Sequence, residues 1–206
     1  MVEHSARHLV FVNRSGVSKP QARESVQMLE AEGAAATFCG CDISDGIQTK
    51  EMLVTLARDA KPIRGLVQEA MLLRVGARSI SLHHLVRFDL YAEVQTRSIL
   101  LLLVCANWIP RIQDTYIERL TVDDYNAVVQ AKLQGTWSLH HCLPRDLDFF
   151  VMLSLISGII GNATQAAYAA GSSFMNAFDA YRNILDLPAL TLDFGVIAEL
   201  GYFSEI

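Results

Sequence analysis

The sequence has no apolar run long enough to cross a membrane. The most apolar stretch, Ile99–Ala106, is eight residues, whereas a membrane-spanning helix needs roughly 20. Met1 to His8 is polar rather than signal-like, so the expected setting is soluble and cytoplasmic, with no membrane partner. Cysteine is scarce, with residues only at 39, 41, 105 and 142. Cys39-Gly40-Cys41 is too tight a spacing for a zinc knuckle and no second pair follows, so reduced thiols are expected rather than a zinc site or a disulfide framework. His83 and His84 are adjacent in sequence. Neighbouring histidines do not face each other on a helix or strand, and no carboxylate or thiol stands at ligand spacing, so no metal is expected. Charge of one sign is not in excess either: 17 Lys and Arg stand against 22 Asp and Glu, for a net charge of −5. The basic residues are scattered, which argues against a nucleic-acid surface.

What is present is apolar and rhythmic. Of the 206 residues 51% are hydrophobic and 19% charged, enough to build a core and too apolar for a disordered chain. Short apolar runs alternate with amphipathic stretches, the pattern of an α/β fold with a parallel sheet. His8–Asn13 reads as a buried strand ending in the turn Arg14-Ser15-Gly16. A helix is expected from Pro20, with Gly33 at its C-terminal cap. Strands are expected at 36–39, 65–68, 148–153 and 189–193, and helices at 46–60, 121–141 and 165–185. Thr121-Val-Asp-Asp124 resembles a capping box with Asp in the usual Glu position. There are no repeats and no linker, so the expectation is one domain over 1–206.

Residues 75–113 break the rhythm. They hold the two histidines, scattered arginines, the Leu100–Leu103 tetrad, Trp108 and Pro110. Two explanations stand. One is translated non-coding sequence, since Val75 requires a codon beginning GT and one of the two glutamine codons open to Gln113 ends in AG. The other is a genuine insertion lining a lid or contact surface.

Three stretches carry a resemblance. They are Ala6-Arg-His-Leu-Val-Phe-Val-Asn-Arg-Ser-Gly16, Gln130-Ala-Lys-Leu-Gln-Gly-Thr-Trp137, and Asp146 to Ser154 running on through Gly158-Ile-Ile-Gly161 to Tyr168-Ala-Ala-Gly171. In this order and at these spacings the chain resembles the ketoreductase (KR) domains of fungal highly reducing polyketide synthases, a branch of the short-chain dehydrogenase/reductase superfamily. The resemblance implies a Rossmann-like, doubly wound parallel sheet and NADPH-dependent reduction of a β-ketone on a carrier-bound acyl chain. By that resemblance Tyr168 matches the general acid that protonates the carbonyl oxygen. Lys132 matches the cation that eases loss of the tyrosine proton. Arg14, with Ser15 beside it, matches the reader of the cofactor 2′-phosphate, and Asp42 the residue near the adenine.

The pattern is incomplete. The family serine that hydrogen-bonds the oxyanion lies thirteen positions before the tyrosine, where this chain has Leu155. Ser154 and Ser157 flank it, but one step along a strand turns a side chain to the other face. The family asparagine, four positions after the tyrosine, is Ser172 here. Glu69 replaces a glycine that the family places close against the cofactor. The first family strand and the glycine-rich turn that cradles the pyrophosphate are absent and would lie before Met1. That strand sits centrally, so its loss would leave two neighbours unpaired. Ile99–Val104 is the candidate to occupy the slot, with pairing in trans to a synthase segment as the alternative. The expectation is therefore a degenerate or inactive KR fragment, or else a non-catalytic remnant contacting acyl carrier protein or another synthase domain.

Overall fold

Six parallel strands lie in the order β2-β1-β4-β3-β5-β6. The structure, a computed structural model, describes residues 8–16, 20–31, 33–58, 62–68, 100–104 and 115–195. Glu69, His83, His84, Cys105 and most of 75–113 lie outside the described residues.

β1 (His8–Asn13) buries Leu9, Val10, Phe11 and Val12 on both faces, as a continuous apolar strand inside a parallel sheet does. α1 (Pro20–Ala31) opens on proline, whose missing N–H is no loss at a helix start. It ends as the sequence predicts. Gly33 takes φ 80°, its N–H donates to the Glu30 carbonyl, and the Ala34 N–H reaches back to Leu29, a Schellman pair that closes the helix. β2 (Ala35–Gly40) follows. α2 (Gly46–Arg58) is capped by Asp45, whose Oδ1 accepts from the Ile47 and Gln48 N–H groups at 2.9 and 3.1 Å. Those bonds hold the Asp45 carboxyl below its usual range. α2 buries Thr49, Leu53 and Leu56.

β3 (Ile63–Gln68) and β4 (Leu100–Val104) come next. β4 pairs parallel with β1 on one side, Leu100 beside His8, and with β3 on the other, Leu102 beside Leu66. The Leu-Leu-Leu-Leu-Val segment thus takes the central position that the sequence leaves open, and it gives the facing backbone groups of β1 and β3 their partners.

α3 (Val122–Cys142) begins at Thr121, whose hydroxyl accepts from the Asp124 N–H at 3.1 Å, the first half of the expected capping box. β5 (Phe149–Leu155) runs two residues further than the sequence pattern predicts and so includes Ser154 and Leu155. After the single turn α4 (Ser157–Ile160), the chain enters α5 (Ala166–Ile184) and ends its described part in β6 (Leu190–Phe194).

The sheet is covered on both faces, which makes the fold doubly wound. On one side Val10, Val12, Leu66, Phe150 and Met152 meet α2, α3 and α5 through Leu53, Leu139, Met175 and Phe178. On the other, Leu9, Phe11, Val67, Val151 and Leu153 pack with Leu29 and Ala34. Because all strands are parallel, Asn13, Gly40, Gln68, Val104, Leu155 and Phe194 end on one edge. That edge is where ligands bind in open α/β sheets.

Candidate functional site

Lys132 lies inside the protein, 1% exposed, where α3 packs on α5. The helices meet at Gly171. A Cβ built there would stand 2.7 Å from Lys132 Cδ, so the glycine is what lets the lysine stem pass along α5. Lys132 Nζ donates to Ser172 Oγ at 3.4 Å and sits 3.8 Å from Met175 Sδ. Burial pushes its pKa down to about 8, opposed by the negative charge of Asp193. Tyr168, 5% exposed, stands one turn before Ser172 on the same helix. Lys132 and Ser172 are thus in contact, with Tyr168 one helical turn from Ser172 on α5.

Leu155 occupies the last position of β5, half-buried, with its neighbour Ile156 donating its N–H to the Phe194 carbonyl at 2.9 Å. Alternation along the strand sends Ser154 to the opposite face, where it is fully buried. It shares that face with Phe150 and Met152, under α3 and α5. Ser157 opens α4 and is 6% exposed. Neither serine stands where Leu155 does.

At the other end of the edge, Arg14 and Asp42 form an ion pair, Nε to Oδ2 at 2.9 Å, both partly exposed. Asp42 Oδ1 also accepts from the Ser44 N–H and hydroxyl at 3.0 and 2.6 Å. Ser15 is exposed and donates its N–H to Asn13 Oδ1 at 2.9 Å. The β1 and β2 ends are tied by the Cys41 N–H to the Asn13 carbonyl at 2.9 Å. Arg14 and Asp42 are thus joined at the surface, with Ser15 next to Arg14 in the chain.

The sequence reading did not single out Gln68, Thr136, Asn176 or Asp193. Thr136, on α3 one turn after Lys132, shares its hydroxyl between the Lys132 carbonyl and Gln68 Oε1, the latter at 3.0 Å. Asn176 Nδ2 donates to Asp193 Oδ2 at 3.0 Å. The signal for these was weak: single polar residues at the ends of apolar strands or on buried helix faces. Among the described residues no cluster of His, Cys, Asp or Glu has the makings of a metal site. No described helix is long and apolar enough to cross a membrane.

The KR domain profile matches residues 1–82 and 106–199. The chain belongs to the KR domain family. Its break in the family match, 83–105, contains β4, so the central strand of the sheet comes from a segment outside the family pattern. The KR match extends to curated relatives that are fungal synthases. Over 205 residues the chain is 42% identical to the highly reducing polyketide synthase phiA of Fungal sp. (strain ATCC 74256). Over 204 residues it is 39% identical to the highly reducing polyketide synthase tstA of Talaromyces stipitatus. These alignments take in 100% and 99% of this chain but only 6% of each synthase. Among solved structures, the KR fold superposes on the ketoreductase of the first module of phoslactomycin biosynthesis in Streptomyces with a TM-score of 0.71 at 25% identity, covering 94% of this chain and 36% of that one. A ketoreductase domain from the bacillaene assembly line gives 0.72 at 21% identity, covering 98% and 40%, and supports the fold alone.

Proposed function

We propose that this chain is a degenerate KR domain of a reducing polyketide synthase that does not turn over a β-ketoacyl thioester. The observation that carries this is Leu155. A ketoreductase needs a hydroxyl at that point to hydrogen-bond the oxygen that gains charge as the carbonyl is reduced. An isobutyl group donates nothing. By the resemblance Tyr168 and Lys132 match the family tyrosine and lysine, but the lysine ammonium is engaged by Ser172 at the position of the family asparagine.

The residues present do not fit NADPH, the cofactor that the family implies. The Arg14 guanidinium is paired with the Asp42 carboxylate, so a 2′-phosphate arriving there meets a negative charge. β4 is followed in sequence by Cys105-Ala-Asn-Trp-Ile-Pro110, and no glycine lies between Gly76 and Gly135. The family's glycine-rich turn, whose backbone amides approach the pyrophosphate, has no counterpart in that stretch of sequence. No hydride step is derived for this chain. What it retains is the α3–α5 surface and the polar groups inside it.

The test is a titration of the purified chain with NADPH, read by cofactor fluorescence, beside an absorbance assay with a β-ketoacyl thioester. The expected result is no saturable binding in the micromolar range and no turnover above the blank. Leu155→Ser alone is expected to leave turnover at the blank, because the cofactor side remains unsuited. Saturable micromolar binding together with turnover by the unaltered chain overturns the proposal.

A further inference from the structure

A buried cation short of acceptors and buried oxygens short of donors lie around the same stretch of α5. The cation is Lys132. Its ammonium carries three donors, yet its contacts are 3.4 Å to Ser172 Oγ and 3.8 Å to a thioether, long beside the usual 2.7–3.2 Å. The oxygens come from β5, β6 and α5. Ser154 and Asp193 are register partners on adjacent parallel strands, so their side chains project to one face. Asn176 follows Ser172 by one helical turn and binds Asp193 through Nδ2. Ser154 Oγ, Asn176 Oδ1 and Asp193 Oδ1 are all buried and have no hydrogen-bond partner among the described residues.

We propose that Asp193 is the counter-ion of Lys132, linked to it by ordered water held between Ser154, Asn176 and the ammonium, and that it positions the lysine at the α3–α5 contact. This inference rests on the side-chain geometry and is independent of the reading of activity above.

Water is the partner that matches the chemistry. One molecule accepts from an ammonium and donates twice to carboxylate, amide or hydroxyl oxygens, and about three such bonds are typical of buried water. A second oxygen acceptor alone would leave the Asp193 and Asn176 lone pairs unsatisfied, and an apolar group would satisfy neither side. The charge is also in the right place. Among the described residues, α5 carries the titratable groups Tyr168, Asp179, Tyr181 and Arg182 and β6 carries Asp193, and of these Asp193 is the charge that acts on Lys132. β5 offers the uncharged Ser154, and further along α5 Asp179 is bound to the Thr191 N–H at 2.8 Å. α2, on the far side of α3, carries Lys50, Glu51 and Arg58 exposed to solvent. Asp193 is thus the one carboxylate placed to favour the cationic lysine against burial, the direction in which it acts on the Lys132 pKa.

The experiment is side-chain ammonium NMR on the full chain labelled with nitrogen-15 in lysine, which has only Lys19, Lys50, Lys61 and Lys132 to resolve. Two readouts are taken: the Lys132 titration midpoint, and magnetisation transfer from long-lived water to its ammonium. Asp193→Asn is expected to lower the midpoint by about one pH unit or more, a change that a merely structural residue would not produce. Ser154→Ala, a smaller change that keeps the strand, is expected to weaken the water transfer and lower the midpoint less. A midpoint unmoved in folded Asp193→Asn overturns the proposal. So does the absence of water transfer to Lys132 in the unaltered chain, a measurement that decides even if Asp193→Asn fails to fold.

Discussion

Replacing Lys132 with methionine is expected to stabilise the folded chain at neutral pH, and to do so in a way that pH can switch off. The lysine titrates near 10.5 when exposed and near 8 in the fold. At about 1.4 kcal/mol per unit, carrying the charge inside costs about 3 kcal/mol, a sizeable share of a total stability of roughly 5–15 kcal/mol. The sign follows from proton binding. Between pH 8 and 10.5 the unfolded chain holds a proton that the folded chain has released, so stability rises with pH through that window. Below pH 8 both states are protonated and the full cost is present. Methionine is close to lysine's stem in size and flexibility and carries no charge; it forgoes the long bond to Ser172 and the link to Asp193, whose attraction is already counted in the lysine's pKa. Urea unfolding of both proteins, at pH 7 and again above pH 10, measures the difference. The variant should be the more stable at pH 7, by up to about 3 kcal/mol, and the gap should close at the higher pH. The closing of the gap is diagnostic, because other groups titrating in that range affect both proteins alike. A gap constant across pH would refute the account of Lys132 as a cation held against its burial.

Two more substitutions probe the packing around it. Arg182, 2% exposed, donates to the Pro188 carbonyl at 3.2 Å, meets His140 Nδ1 at 2.8 Å and lies 4.0 Å above the Phe150 ring. Arg182→Ala is expected to cost about 2–3 kcal/mol in urea unfolding. It should also raise the pKa of His140, which burial and then Arg182 hold near 4, as imidazole NMR would show. Gly158→Ala places a Cβ 2.6 Å from that of Ser172 and 2.9 Å from the Ser173 nitrogen. Backbone cannot move aside as a side chain does, so a loss of about 1–3 kcal/mol is expected, with the Ser172 and Ser173 amide resonances shifted.

Local chemistry made much of the fold legible before any coordinates. The Gly33 cap, the Thr121 cap and the continuous apolar run of β1 are each decided by a few neighbouring residues, and each appears where expected. Ile99–Val104 was readable as a central strand because a run apolar on both faces has few other homes. The strand ends were less legible: β5 continues to Leu155 because Ser154 and Leu155 pair with Asp193 and Phe194, partners far along the chain. The candidate site divided in the same way. Tyr168, Lys132, Arg14, Ser15 and Asp42 were visible through the family resemblance. Asp193 and Asn176 were not, because their significance is the three-dimensional meeting of β6 with the middle of α5. Nothing in the sequence singles out Arg182; only the fold reveals a guanidinium sealed against Phe150.

β4 also sets the order in which this chain can acquire its sheet. His8 pairs with Leu100, and Ile63 pairs with Leu100 as well, so the middle of the sheet closes through contacts distant in sequence. Such non-local pairings slow folding. A ribosome releases β1, β2 and β3 well before residues 100–104. Until that segment docks, β1 and β3 each present an open strand edge to other chains in the cell. The nascent polypeptide therefore passes through an aggregation-prone interval whose end is timed by five apolar residues. Chaperone engagement during synthesis is the cellular correlate of that interval, and it should cease once β4 has joined its two neighbours.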